Sequence, residues 1–308
     1  MKASLYLHPD CIRYDSIESA AVFVNKFSNL IKDIAELIND DYGDMVFVYS
    51  ENLYNTYIFE NQDIYTFAFE HLDPDSRAFL FLVLSQQGQS LSFSPKDIEL
   101  KSVFTRDEDS CHALIVLNKP DNNNSNVEYI QFEKYELIYN KHSWLTLRRQ
   151  ILGNHPGSPA DFMKKANRYF PNIVFSPHCE DVIEFYLSVV PRKIVYYLSC
   201  MNDRLIGFWN SHPNKNSVDC VCEDFAGQFG MDRAGSPQGT PSKKELYTFE
   251  FSKGTDTVHI CCGPHFKITH IDNNCRESTV QKSEKFHARI YFKIQDNKIY
   301  VGSIGPHI

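Results

Sequence analysis

The chain has 308 residues, of which 43% are hydrophobic and 23% are charged, proportions that are ordinary for a globular protein and exclude a largely disordered one. Its formal net charge is −8, so the chain as a whole lacks the strong positive charge of a protein that coats nucleic acid. In residues 243–308, however, ten basic residues stand against seven acidic ones, which makes this part modestly basic.

The cysteines and the N-terminal residues indicate a reducing, cytoplasmic environment. The nine cysteines are odd in number and show no regular spacing, which does not fit a disulfide framework. The first ten residues lack the basic and apolar regions of a signal peptide. The longest apolar run, residues 79–84, is far shorter than a membrane span. We therefore expect a cytoplasmic protein with no membrane partner.

Residues 1–150 are predicted to form an α+β sensing or regulatory domain. Apolar residues at helical spacing predict a helix over 16–39, and Asp73-Pro74 is typical of the start of a second helix, which would end near Gly88. Alternation with a period of two predicts strands, which we expect to pair antiparallel, at 45–49, 53–59, 64–69 and 113–117.

The rest of the chain is predicted to comprise a helical region (151–230), a linker loop (231–243) and a β-rich module (244–308). The loop is predicted because this stretch loses all periodicity and is rich in glycine and proline. We expect a small curled antiparallel sheet in the last module, so the fold class is α+β. The predicted helices are 160–170, 177–190, 192–209 and 218–229, and the predicted strands are 245–251, 257–262, 265–271, 286–294 and 298–304.

The β-rich module concentrates side chains that are suited to acid–base chemistry on phosphate. In a strand over 286–294, His287, Arg289, Tyr291 and Lys293 share one side, and His265 and Lys267 share a side of the preceding strand. Cleavage of RNA without a metal requires a base for the 2′-OH proton, an acid for the leaving oxygen and a cation for the phosphate charge. We therefore predict a ribonuclease site on this face of the sheet.

Each residue of that face has a predicted role. His287 and His265 are the predicted acid–base pair, because imidazole titrates in the required range. Arg289 and Lys267 are expected to stabilise the phosphate, and Tyr291 to stack on a base. The remaining predicted substrate-binding residues are Lys293 on the same strand, Ser303 in the glycine-flanked strand end, and Arg233 in the predicted loop.

The order of a helical part, a glycine- and proline-rich connector and a terminal sheet with His, Arg and Lys on one face resembles the small ribonuclease toxins of the barnase/RelE-like group. The closing segment FHARIYFKIQDNKIYVGSIGPHI also resembles the ends of bacterial proteins associated with phage defence. The resemblance covers residues 244–308 and implies a bacterial toxin or antiviral defence effector, with RNA as its substrate and a protein partner or inhibitor.

Two alternatives remain open from the sequence. The same face is also consistent with non-enzymatic binding of nucleic acid or protein, and with the ordinary polarity of a solvated strand. Cys220, Cys222, Cys261 and His259 are candidate ligands of a structural zinc, although their spacing is not the C-x-x-C of a strong zinc motif. We expect no cofactor, because the chain has no dinucleotide fingerprint or phosphate-binding Walker loop.

Overall fold

A computed structural model describes residues 2–40, 45–98, 110–117, 137–235, 244–254, 256–269 and 287–308. The chain divides into two compact units, Met1–Arg148 and Arg149–Ile308. Mixed helices and strands are present, as the predicted α+β class requires. The polar run 121–126 and residues 270, 271 and 286, which fall in or beside predicted elements, lie outside the described residues.

The first unit is built on a parallel sheet of five strands in the order β3-β2-β1-β4-β5. The central strand β1, which sequence patterning did not predict, is buried on both faces, with Leu5 fully inaccessible and Tyr6 5% exposed. The strands are β1 (Lys2–Leu7), β2 (Met45–Ser50), β3 (Gly88–Leu91), β4 (Ser110–Ile115) and β5 (Leu137–Ile138).

The expected antiparallel pairing in this unit is wrong, and so are two of its predicted strands. Parallel neighbours need a crossover, which a helix supplies between β1 and β2. Residues 53–59 begin in a 3-10 turn, and 64–69 lie in a helix that starts at the cap residue Asp63, whose Oδ1 accepts the Tyr65 and Thr66 N–H groups at 2.9 Å. The helices are α1 (Ala20–Asp40), α2 (Ile64–His71), α3 (Pro74–Leu82) and α4 (Lys141–Asn154), with α4 continuing into the second unit.

The second unit combines helices with a five-stranded sheet in the order β6-β12-β11-β10-β7, which is antiparallel except for the β6–β12 pair. The strands are β6 (Ile173–Phe175), β7 (Arg233–Gly235), β10 (His265–Thr269), β11 (His287–Gln295) and β12 (Lys298–Gly305), and a separate hairpin is formed by β8 (Thr248–Lys253) and β9 (Asp256–Cys261). The helices are α5 (Pro159–Tyr169), α6 (His178–Val182), α7 (Glu184–Val189), α8 (Pro191–Cys200), α9 (Ile206–Ser211) and α10 (Val218–Gln228).

The predicted C-terminal antiparallel sheet is confirmed for β10, β11 and β12, and β6 and β7 join it from earlier in the chain. The strands predicted at 245–251 and 257–262 were expected in the same sheet, but they pair with each other as the separate β8–β9 hairpin. Arg233–Gly235 falls within the predicted loop, yet it pairs with β10, because a three-residue edge strand needs only a neighbour and no periodic pattern of its own. Residues 236–243 lie outside the described part of the chain.

The two faces of this sheet have different environments. On one face, Phe266 and Phe292 stack with ring centroids 5.0 Å apart, and Phe225 of α10 lies 5.6 Å from Phe266. On the other face, the β8–β9 hairpin packs aromatic side chains against Tyr291 and Tyr300. A β-bulge between Tyr291 and Phe292 brings Gly302 under the Phe249 ring, where a Cβ would overlap that ring. The hairpin therefore covers the part of this face that lies beside the bulge.

Candidate functional site

Three cations form a row across adjacent strands on the face that carries the hairpin. Lys267 of β10 is directly opposite Arg289 of β11 on one side and Arg233 of β7 on the other. His265 and His287 share this face, because they lie two residues from Lys267 and Arg289 along their strands. We call these five side chains the cationic face. The alternation in the sequence thus correctly placed four predicted site residues together, and the structure adds Arg233.

Arg289 is the buried end of this row, and its guanidinium is incompletely bonded. The residue is only 8% exposed, and neither Nε nor Nη1 has a hydrogen-bond partner among the residues that the structure describes. Within the same described ranges, two other buried polar atoms on this face, His287 Nδ1 and Ser303 Oγ, also lack a partner. The alternative of a solvated strand face does not hold at His265, Arg289, Tyr291 and Ser303, which are all buried. Tyr291 packs against the hairpin and Ile308.

His265 is held as a neutral imidazole. Its ring lies 4.8 Å from the Tyr291 ring, and its Nδ1 is 3.4 Å from the Gly263 carbonyl oxygen, an arrangement in which Nδ1 donates and Nε2 keeps its lone pair. Burial, reinforced by the positive charges of Arg289 and Lys267, lowers the pKa of His265 to about 4. A Cβ on Gly235 would lie 3.0 Å from His265 Nε2, so a residue without a side chain suits this position of β7.

His287 lies toward the other end of β11, beside the acidic edge of the site. Burial and the Arg289 and Lys267 charges lower its pKa, and Asp232 opposes this shift. The Asp232 carboxylate accepts the Thr269 backbone N–H at 2.6 Å and faces the Lys193 ammonium at 3.4 Å. Asp232 is therefore engaged at the edge of the sheet by Thr269 and Lys193.

Tyr291 and Lys293 do not join the cationic face in the predicted way. The Tyr291 ring is fully buried between Tyr247 and His265, so it has no free surface on which a base could stack. Its hydroxyl accepts the Ile308 backbone N–H at 3.3 Å. Lys293 lies past the bulge, where it lines a different groove with Lys253 and Tyr300.

Ser303 connects the cationic face to an open groove. It is opposite Tyr291 in the β11–β12 register, and it lines a groove of about 600 Å³ together with His178, Phe249 and Pro306. Ser303 is 1% exposed, so its buried hydroxyl, which has no partner among the described residues, lies beneath the wall of this groove.

Tyr186 of α7 is a neighbour of this face that the sequence did not reveal. Burial raises the pKa of Tyr186, and the positive charge of Arg289 opposes that rise. No local signal identifies this tyrosine, because it lies about one hundred positions before β11 in the chain.

The predicted zinc ligands are not brought together among the residues that the structure describes. Cys222 is buried in α10, and burial raises the pKa of its thiol to about 12. Cys261 and His259 both lie on β9, where the His259 Nε2 is 3.3 Å from a Glu250 carboxylate oxygen. Cys220 lies on α10, where its Sγ is 3.7 Å from Asp224 Oδ2 and apart from the other predicted ligands.

Comparison with known proteins finds no match to this chain among protein families, curated proteins or solved structures. No helix in the described ranges combines the length and the apolar character that crossing a membrane requires.

Proposed function

We propose that this protein is an RNA-binding effector whose second unit holds the phosphate backbone of RNA on the cationic face. The observation that carries the proposal is the cationic row itself, in which Arg233, Lys267 and Arg289 are neighbours and the buried Arg289 leaves two donors unpartnered. Guanidinium donors and a hydroxyl are the groups that bind phosphate oxygens in proteins.

Another buried arginine of the same unit shows what a structural role looks like. Arg149 is 4% exposed, its Nη1 donates to the Asp203 carboxylate at 2.7 Å, and its Nε donates to the Tyr169 carbonyl at 2.9 Å. Arg289 has no such acidic partner among the described residues, and like charges directly opposite one another destabilise a sheet. An anionic ligand would supply the missing charge and the missing acceptors.

The extent of the row favours a chain of phosphates over a single small anion. Neighbouring strands are about 5 Å apart, so three strands spread the cations over roughly 10 Å. The row also grades from exposed Arg233 through half-buried Lys267 to buried Arg289. A polyanion can therefore contact the outer cation first and place one phosphate against Arg289.

The test is binding of a fluorescent single-stranded RNA at several salt concentrations. Three phosphate contacts predict that log K falls with log salt with a slope of about −2, because each contact contributes roughly −0.7 in single strands. Lys267→Met should weaken binding and make the slope less steep by about 0.7. Lys164→Met, on the exposed side of α5, is the matched control and should change neither. Equal binding by all three proteins would refute the proposal.

Metal-free cleavage of the bound RNA is the second candidate function, and the orientation of His265 favours it. Its Nδ1 faces the Gly263 carbonyl, so a neutral Nε2 is ready to accept a proton. In the proposed reaction His265 takes the 2′-OH proton, the 2′-oxygen bonds to phosphorus, and the bond from phosphorus to the 5′-oxygen breaks. Protonated His287 gives its proton to the leaving 5′-oxygen, and the products are a 2′,3′-cyclic phosphate and a 5′-hydroxyl.

The register gives a reason to treat binding and cleavage separately. His265 is opposite Tyr291, so His287 lies four residues further along the ladder, about 13 Å away along the strands. Lys267 and Arg289 lie between them, so the two imidazoles can reach one phosphate only from opposite sides. RNA incubated with the wild-type protein and EDTA should acquire 2′,3′-cyclic phosphate ends. The His265→Gln variant should bind RNA but form no such ends. If the wild type binds RNA but forms no cyclic ends, RNA binding is its function and cleavage is refuted.

A further inference from the structure

A second cluster of donor side chains joins the end of α9 to α10 in the second unit. His212 follows the end of α9, and Cys220 and Asp224 lie on α10. The His212 Nε2 is 3.0 Å from Asp224 Oδ2, the Cys220 Sγ is 3.7 Å from the same oxygen, and the three donor atoms all lie within 4.8 Å of one another.

Local sequence spacing explains why these donors meet. Cys220 and Asp224 are four residues apart, so they lie on the same side of α10, one above the other. The turn between α9 and α10 brings His212 back toward that side, and the Asn214 N–H donates to His212 Nδ1 at 3.1 Å. The His212 ring also packs 5.3 Å from the Phe208 ring, so its side chain is only 7% exposed and its orientation is fixed.

The separations match those of a tetrahedral metal site. Zinc binds sulfur at about 2.3 Å and nitrogen or oxygen at about 2.0–2.2 Å, so donors on a tetrahedron are roughly 3.3–3.6 Å apart. We propose that His212, Cys220 and Asp224 bind a divalent transition metal of the zinc type. Three protein ligands leave a fourth position for water, and a set of one thiolate, one imidazole and one carboxylate suits zinc better than magnesium or calcium.

Binding must rearrange protons in a defined way. The Cys220 thiol loses its proton to solvent as the metal–sulfur bond forms, so one proton is released. The Nε2 of His212 becomes a ligand, which moves the ring proton to Nδ1. The Asn214 N–H now points at that nitrogen and has to turn away, and the exposed turn in which Asn214 lies permits this movement.

A metal here would tie the α9–α10 turn to α10. The residue after Asp224 is Phe225, whose ring packs on Phe266 of β10, the strand that also carries Lys267. Because the metal binds the folded arrangement more tightly than the unfolded chain, it should raise the unfolding temperature of the second unit.

Cobalt(II), which binds zinc sites and reports a thiolate ligand by an intense near-ultraviolet charge-transfer band, is the probe. The full chain, purified with EDTA and then freed of it, should bind one cobalt with that band, and zinc should displace it. Zinc should raise the unfolding temperature and release one proton. A wild-type protein with no charge-transfer band and no zinc-dependent thermal shift would overturn the proposal, whatever the variants do.

Variants then locate the site. Cys220→Ser and Asp224→Asn should each weaken zinc binding by more than the roughly 10–100-fold that follows loss of an outer-shell partner. The matched controls are Cys261→Ser, an exposed thiol on β9, and Asp219→Asn, an exposed carboxylate on α10, which should bind as the wild type does. A loss of binding in Cys261→Ser, or unchanged binding in Cys220→Ser, would contradict the proposed ligands.

Discussion

Replacing Arg289 by methionine should make the ligand-free protein more stable while abolishing RNA binding. The variant keeps an apolar stem of similar length and removes a buried charge whose Nε and Nη1 have no partner in the described part of the chain. Each buried donor left unsatisfied costs roughly 1–3 kcal/mol. Allowing for imperfect repacking, we expect the free energy of unfolding to rise by about 2 kcal/mol. For a unit of the size of Arg149–Ile308, this raises the unfolding temperature by about 4–8 °C.

The assay is thermal and urea unfolding followed by circular dichroism, with Lys293→Met as the matched control. Lys293 is on the same strand and exposed, so its replacement should change stability by less than about 0.5 kcal/mol. Added RNA should raise the unfolding temperature of the wild type and leave that of Arg289→Met unchanged. If Arg289→Met is instead destabilised by about 2 kcal/mol or more, Arg289 is a structural residue and the reasoning fails.

Three further predictions concern the same unit. The pKa of His265 falls from 6.5 to about 4 on folding, so the second unit should be fully stabilised above pH 6.5 and lose on the order of 3 kcal/mol as pH falls toward 4. Midpoints of urea unfolding at several pH values measure this loss. A stability difference between the wild type and His265→Gln that does not change with pH would contradict it. Phosphate bound beside His287 should raise its lowered pKa, which NMR titration with and without RNA detects; an unchanged value would count against the site. Gly302→Ala, whose Cβ would overlap the Phe249 ring, should lower the free energy of unfolding by about 1–3 kcal/mol. Gly254→Ala, in a hairpin turn with open space around it, tests the effect of backbone conformation alone. Equal losses of stability in the two variants would exclude the overlap as the cause.

Local signals in the sequence predicted the elements whose cause is local. Asp73 caps the helix whose start Asp73-Pro74 predicted, and Ser158 caps α5 within one residue or two of the start predicted at 160; each is followed by proline at the first helical position. The turn between the last two strands is at Asp296-Asn297, where both residues have positive φ angles of 52° and 58°. That turn fixes the β11–β12 register, so the predicted strand pair formed as expected.

Elements whose cause is distant in the chain were not predictable in the same way. The aromatic and β-branched residues of 64–69 favour a strand, but the cap at Asp63 and packing against α1 select a helix. The β1 strand is only six residues long, and its central place in the sheet depends on pairing with β2 and β4, which lie far along the chain.

For the candidate site, too, the sequence predicted what depends on one strand and not what depends on distant contacts. Alternation placed His287 and Arg289 on one side of their strand, because side chains in a strand alternate. The burial of Arg289 was not predictable, because it depends on tertiary packing that no pattern within its own strand specifies. The addition of Arg233 to the row depends on pairing between β7 and β10, which no local pattern specifies.

The proposed toxin or defence role of the protein makes a prediction in cells. Wild-type protein expressed in a bacterial host should slow growth and fragment RNA if the second unit cleaves, whereas His265→Gln should do neither. Normal growth with intact RNA in both would restrict the protein to binding.

The most direct test of the central claim is an experimental structure of the full chain with a single-stranded RNA whose 2′-hydroxyls are methylated to prevent cleavage. We predict that Arg289 Nε and Arg289 Nη1 each have a phosphate oxygen within about 3 Å, the hydrogen-bond distance of a charge-assisted pair, with Lys267 and Arg233 on neighbouring oxygens. RNA bound elsewhere, with both Arg289 nitrogens still unpartnered, would contradict the account.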